Sequence, residues 1–129
     1  MKVNPNLKYD QEHEWIRVEG KEAVIGISDY AQDQLSDIVY VELPEVGDTF
    51  EKGDVLAVVE SVKAASDVYM PVDGQILEVN TRLEDSPELV NQDPYGEAWF
   101  VRISLDDPSQ VDAMMDAAAY ESYLEGLEE

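Results

Sequence analysis

The sequence predicts a mainly β fold, a sandwich or flattened barrel with short helices and a helical C-terminal segment. Three observations predict it. Short runs rich in β-branched and aromatic residues recur along the chain, and most are bounded by Gly, Pro, Asp or Asn. Trp99, Val101, Ile103 and Leu105 alternate with Phe100, Arg102 and Ser104, the cleanest period-two pattern present. The strongest run of helical signals lies near the end, where Asp107-Pro108-Ser109-Gln110 reads as a capping box with proline at the first helical position.

Taken in order, Asn6 to Glu14 is polar, and Trp15 to Val18 leads through Glu19-Gly20-Lys21 into Ala23 to Ile27, a hairpin. Ser28 followed by Asp29 starts a short helix whose inner side is Tyr30, Ala31 and Leu35, ending before Ser36-Asp37. Ile38 to Leu43 is a strand closed by Pro44. Two similar turn phrases, Glu45-Val46-Gly47-Asp48 and Glu51-Lys52-Gly53-Asp54, bracket a very short strand. Val55 to Val59 is a buried strand by composition, with Val68 to Met70 as its partner. Asp73-Gly74 is a hairpin turn signal, and Gln75 to Asn80 is the next strand. Ser86-Pro87-Glu88 predicts one helical turn over Pro87 to Val90, followed by a loop from Asn91 to Gly96. A helix from about Pro108 and a second capped by Asp116 complete the chain. Tyr120, Tyr123, Leu124 and Leu127 make an apolar stripe that docks on the rest, and Gly126 predicts fraying. The sum is seven to nine short strands and two or three helices in one domain over residues 1–129, with C-terminal helices over about 108–127.

Composition removes whole classes of function. Thirty acids against eight bases give a formal charge of −22, which argues against nucleic acid or an anionic membrane as partner through a basic face. The acidity fits steering toward cationic surfaces on proteins and fits plain solubility or salt adaptation equally well. Cysteine is absent, so the chain has no disulfide, thiolate metal site or cysteine nucleophile. His13 is the only histidine, which leaves no His/Cys metal cluster, and it reads as a packed or surface residue. No G-x-S-x-G elbow, P-loop or dinucleotide turn is present, so neither a catalytic nor a metal-binding residue is assigned. The N-terminus lacks a signal-peptide core and no segment is apolar enough to span a membrane, so the chain reads as soluble, cytoplasmic and monomeric.

What stands out is Lys63, the only basic residue between Gly53 and Thr81, at a chain reversal near Ser61 to Ser66. A lysine on a β platform between small or branched neighbours, Val62, Ala64 and Ala65, is sterically free to carry an attached group. Nothing adjacent would make its amine a nucleophile unaided, so a separate enzyme must bring an activated acyl group.

Glu60-Ser61-Val62-Lys63-Ala64-Ala65-Ser66-Asp67 resembles the lipoylation motif of the glycine cleavage H proteins. The resemblance extends through His13-Glu14-Trp15, Gly26 to Ala31, Val41 to Gly47, Ser86 to Asn91, Asp93 to Gly96 and the tail around Asp116 and Tyr120, nearly the whole chain. It implies a hybrid barrel-sandwich fold akin to lipoyl and biotinyl domains, with lipoic acid in amide linkage to Lys63, in a carrier that is not itself an enzyme. It implies as partners a pyridoxal-phosphate glycine decarboxylase that loads an aminomethyl group and a folate-dependent aminomethyltransferase that unloads it. A flavin-dependent dihydrolipoamide dehydrogenase that reoxidises the dithiol and a lipoate-attaching enzyme complete the set. Amide formation moves the formal charge from −22 to −23. A loaded amine has Glu14 and Asp67 as candidate contacts, though both also read as solvated or turn-stabilising acids. An H-like lipoyl donor in lipoate relay and an unmodified acidic binding module are the alternatives. A 2-oxoacid dehydrogenase lipoyl domain lacks its usual Ala/Pro-rich linker here, and a biotinyl domain lacks its flanking methionines.

Overall fold

The computed structural model describes residues 2–128; Met1 and Glu129 lie outside it. Among the described residues there are nine strands: β1 Lys8–Tyr9, β2 Glu14–Glu19, β3 Glu22–Ile27, β4 Ile38–Glu42, β5 Thr49–Phe50, β6 Val55–Ser61, β7 Ala65–Tyr69, β8 Gly74–Val79 and β9 Val101–Ser104. Five helices accompany them: α1 Asp29–Leu35, α2 Arg82–Asp85, α3 Leu89–Gln92, α4 Ser109–Asp112 and α5 Ala117–Glu128. All pairings are antiparallel, in a six-stranded sheet of order β1-β2-β3-β9-β8-β5 and a three-stranded sheet of order β4-β6-β7. The two sheets enclose a core that includes Ile25, Val59, Met70, Ile76 and Ile103, a sandwich rather than a closed barrel.

The apolar run Ala23 to Ile27 has no polar face because β3 is covered on both sides. Ala23, Ile25 and Ile27 join the core between the sheets, while Val24 joins a second cluster with Tyr9, Trp15, Tyr120 and Leu124. Helix α5 supplies that second cover, and Asp116 caps it by accepting from Ala119 N at 2.9 Å. Tyr120 stacks on Tyr9 with ring centroids 4.3 Å apart and 2° between planes. Tyr120 and Leu124 are thus docked as the stripe predicts, whereas Leu127 stays exposed and Gly126 does not interrupt the helix.

The two turn phrases are one structure used twice. Asp48 Oδ2 accepts from Glu45 N and Asp54 Oδ2 from Glu51 N, each closing an acid-capped turn with glycine at positive φ, 96° at Gly47 and 95° at Gly53. The first turn exchanges backbone bonds with Ile76 and the second with Met70, all at 2.8 Å.

Several local readings differ from the structure. Asp73-Gly74 does not turn a hairpin: β7 pairs with β6, whereas β8 pairs with β9 and β5, so the chain here crosses between sheets. Gly74 is needed for close approach, since a Cβ there would lie 2.2 Å from Ser104 O. Gln110 does not close a capping box; its Oε1 accepts from Asp73 N at 2.8 Å and ties α4 to that crossing. Asn91 and Gln92 are helical, and α2 and β1 lie in stretches without a strong local signal. In the period-two segment Val101 and Ile103 are buried as expected, but so is Phe100, because the strand begins at Val101 and the chain before it is irregular.

Candidate functional site

Lys63 sits at the tip of the β6–β7 hairpin, exposed and without an ion-pair partner among the described residues. The tip is rigid for a local reason. Ser61 Oγ accepts from Lys63 N and Ala64 N, both at 3.1 Å, and Ser61 N donates to Ala64 O at 2.8 Å, so one hydroxyl closes the turn. A second tie is tertiary: Val62 N donates to Asp37 O at 3.0 Å, joining the tip to the residue before β4. The residues on either side of Asp37 are held by one side chain, as Asn91 Oδ1 accepts from Ile38 N and its Nδ2 donates to Ser36 O. Ser36 takes a positive φ of 70° to make this link.

Beside β7 lies a cleft of about 420 Å³ lined by Glu12, His13, Tyr30, Gln34, Asp67 and Tyr69, among others. Asp67 is exposed on its rim, in β7 and four residues after Lys63. Glu14 is not a solvated acid. It is 1% exposed, its Oε2 accepts from Tyr69 N at 3.3 Å, and its Oε1 has no partner among the described residues. Burial first, and then the neighbouring Asp10 carboxylate, push its pKa up to about 11, so at neutral pH it is a carboxylic acid. The β1–β2 turn holds it there: Asp10 Oδ1 accepts from Glu12 N and Glu14 N, and His13 adopts a positive φ of 70°.

His13 is packed, as one of its two readings has it. Its Nδ1 bonds the Tyr120 hydroxyl at 2.8 Å, that hydroxyl bonds Ser28 Oγ at 2.7 Å, and Ser28 Oγ also accepts from Ala31 N to cap α1. Burial lowers the His13 pKa, which favours the neutral ring. This network, the Asn91 clamp and the orphan oxygen of Glu14 escape a reading of the sequence. The only local hint is Asp10 four residues before Glu14, and a polar residue in an acidic stretch carries no mark of burial.

A family profile described as "Glycine cleavage H-protein" matches residues 7–127. The chain belongs to the glycine cleavage H-protein family. Among its relatives, the glycine cleavage system H protein of Thermoanaerobacter sp. (strain X514) is 57% identical over 125 residues, covering 97% of this chain and 98% of the relative. That of Symbiobacterium thermophilum is 54% identical over 121 residues, 94% of each. The crystal structure of a glycine cleavage system H protein from Mycobacterium marinum superposes with a TM-score of 0.87 at 34% identity, over 95% of this chain and 98% of that one. H proteins are carrier subunits of the glycine cleavage system that bear lipoate covalently on a lysine. The hybrid barrel-sandwich expected from the resemblance is the fold observed, and no helix among the described residues is long and apolar enough to cross a membrane.

Proposed function

We propose that Lys63 is the lipoyl attachment point. In this reading the chain, without catalysing a step itself, carries an aminomethyl group from a pyridoxal-phosphate glycine decarboxylase to a folate-dependent aminomethyltransferase and electrons to dihydrolipoamide dehydrogenase. The observation that carries the reading is a solvent-exposed lysine on a doubly tied hairpin tip, with a cleft opening beside the same hairpin. When attached, the lipoyl group supplies the disulfide that takes up the aminomethyl group and the dithiol that later yields electrons.

The chain's own residues do the rest. Ser61 and Asp37 hold the tip, so motion belongs to the arm and the effective concentration at a docked partner stays high. The orphan Oε1 of Glu14, buried close to the cleft residue Tyr69, fits a polar or cationic group at the arm's end, because an unpaired buried oxygen gains most from a donor. Asp67 on the rim adds a carboxylate on the approach. A neutral amine entering would take the proton from Glu14 and leave an ammonium–carboxylate pair out of water, holding the loaded arm until a partner competes for it. The excess of negative charge steers partners with cationic docking faces.

Co-expression with a lipoate-attaching enzyme should add one lipoyl group by intact mass, absent in Lys63→Arg. No adduct, or an adduct on another lysine, sinks the assignment. Lipoylated protein should then support glycine decarboxylation by its partner enzyme; failure there together with donation of lipoyl groups elsewhere would favour lipoate relay. A function untouched by Lys63→Ala would point to an unmodified binding module.

A further inference from the structure

Strand β4 leaves register with β6 beside the hairpin tip: Ile38 pairs with Ser61 and Tyr40 with Glu60, so β4 carries one extra residue. A regular strand that buries Ile38 exposes Val39, buries Tyr40 and exposes Val41. The bulge changes that parity. Ile38 and Val41 are both buried, while Val39 is 54% and Tyr40 47% exposed. Val62, 64% exposed, is tied to the start of the same strand through Asp37 O. Three apolar side chains therefore stand in water on and beside the hairpin that carries Lys63, with Asp37, Glu42 and Glu60 exposed on the same strands and the residue before β4, and no ion pair to any of these acids among the described residues.

We propose that Val39, Tyr40 and Val62 form the docking surface for the lipoate-attaching enzyme, which meets them with an apolar recess rimmed by cationic side chains. The inference rests on the assignment of Lys63 as the acceptor. Reach selects this partner from the four. The attaching enzyme must bring the carbonyl carbon of an activated lipoyl group, as in an acyl adenylate, to bonding distance of Nζ. There the new C–N bond forms as the carbonyl–phosphate bond breaks, AMP leaves with the bonding electrons, and the amine loses a proton. An enzyme doing this must touch the residues around the tip. The other three partners act on sulfur at the far end of the arm and can stand away from it. Charge agrees, since an apolar patch flanked by unpaired carboxylates rejects anionic surfaces and orients a cationic rim. The Asn91 clamp on Ser36 and Ile38 makes bulge and tip one preorganised unit, so docking orders little.

The test uses the full unmodified chain with a lipoate ligase, lipoate and ATP, comparing wild type with Val39→Thr and Tyr40→Thr, which keep strand propensity and remove apolar contact. Val46→Thr, on the first turn phrase and 62% exposed, is the control. The β4 variants should lose roughly tenfold or more in kcat/KM through KM, as loss of a docking hot spot does, with Val46→Thr unchanged. Acylation of Lys63 by a small N-hydroxysuccinimide ester, read by peptide mass, should be equal in all four proteins and shows that the amine itself is unaltered. β4 variants with kcat/KM within about twofold of wild type, a loss shared by Val46→Thr, or a loss confined to kcat overturns the proposal. Wild type that takes no lipoyl group on Lys63 overturns the acceptor assignment instead.

Discussion

Replacing Glu14 with glutamine should stabilise the protein at neutral pH and leave it nearly unchanged in acid. The folded chain keeps a proton on this carboxyl up to about pH 11, whereas the unfolded chain releases it near 4.5. Below 4.5 both states hold the proton, and the packing of the neutral acid contributes in full. As pH rises the unfolded state gains from ionising and the folded state does not, so stability falls by roughly 1.4 kcal/mol per unit toward the folded pKa. From 4.5 to 7 this comes to about 3 kcal/mol that glutamine, which cannot ionise, does not lose. The amide carbonyl can still accept from Tyr69 N. Urea unfolding of both proteins at pH 4, 7 and 9 measures the difference directly; at pH 7 the midpoint should rise by roughly 1–3 M, given slopes of about 1–3 kcal/mol per M. A glutamine variant less stable than wild type at pH 7, or a difference independent of pH, would refute a neutral buried Glu14.

Three further outcomes follow from the same geometry. Gly26→Ala should lower stability by about 1–3 kcal/mol, because its Cβ would lie 2.6 Å from the Trp15 ring, whose Nε1 is pinned to Pro94 O, and tryptophan fluorescence on thermal unfolding reports the loss. His13→Gln should flatten the pH dependence just below 6.5: burial lowers the folded pKa, so wild type loses stability as pH falls from 6.5 toward that lower value, and urea midpoints between pH 5 and 7 show it. Asn91→Ala removes the acceptor for Ile38 N and a donor to Ser36 O, costing about 1–3 kcal/mol and speeding hydrogen exchange at Ile38 and Val62 more than at Ile25.

Which features were legible follows from how far apart their causes lie in the chain. The hairpin around Lys63 closes through Ser61 and Ala64, three residues apart, and the paired turn phrases close through acids three residues from the amides they cap, so a local reading finds both. Ser28 and Asp116 cap their helices by the same short-range logic. Asp73-Gly74 fails because a tight change of direction has the same local chemistry whether the chain returns within one sheet or passes to another; the deciding neighbour is Ser104 O, thirty residues on. Glu14 fails for the same reason, as its burial depends on β7, and Tyr69 N is fifty-five residues away.

This division has a functional logic. On the proposed reading a modifying enzyme finds Lys63 on a surface, and the tip it meets is closed by adjacent residues with one tertiary tie from Val62 N to Asp37 O. On the proposed reading the cleft holds and releases an arm through a buried group whose charge can change, and with thirty acids available the choice among them is made by distant strands rather than by sequence context. Glu14 is selected because the β1–β2 turn and β7 together remove its water and leave one oxygen unpaired. Asp67, on the same strand as Tyr69, keeps its water and stays on the rim. Two acids that read alike in sequence thus reach opposite environments, Glu14 buried beside Tyr69 and Asp67 exposed on the rim of the cleft, and strand pairing rather than local sequence decides which is which.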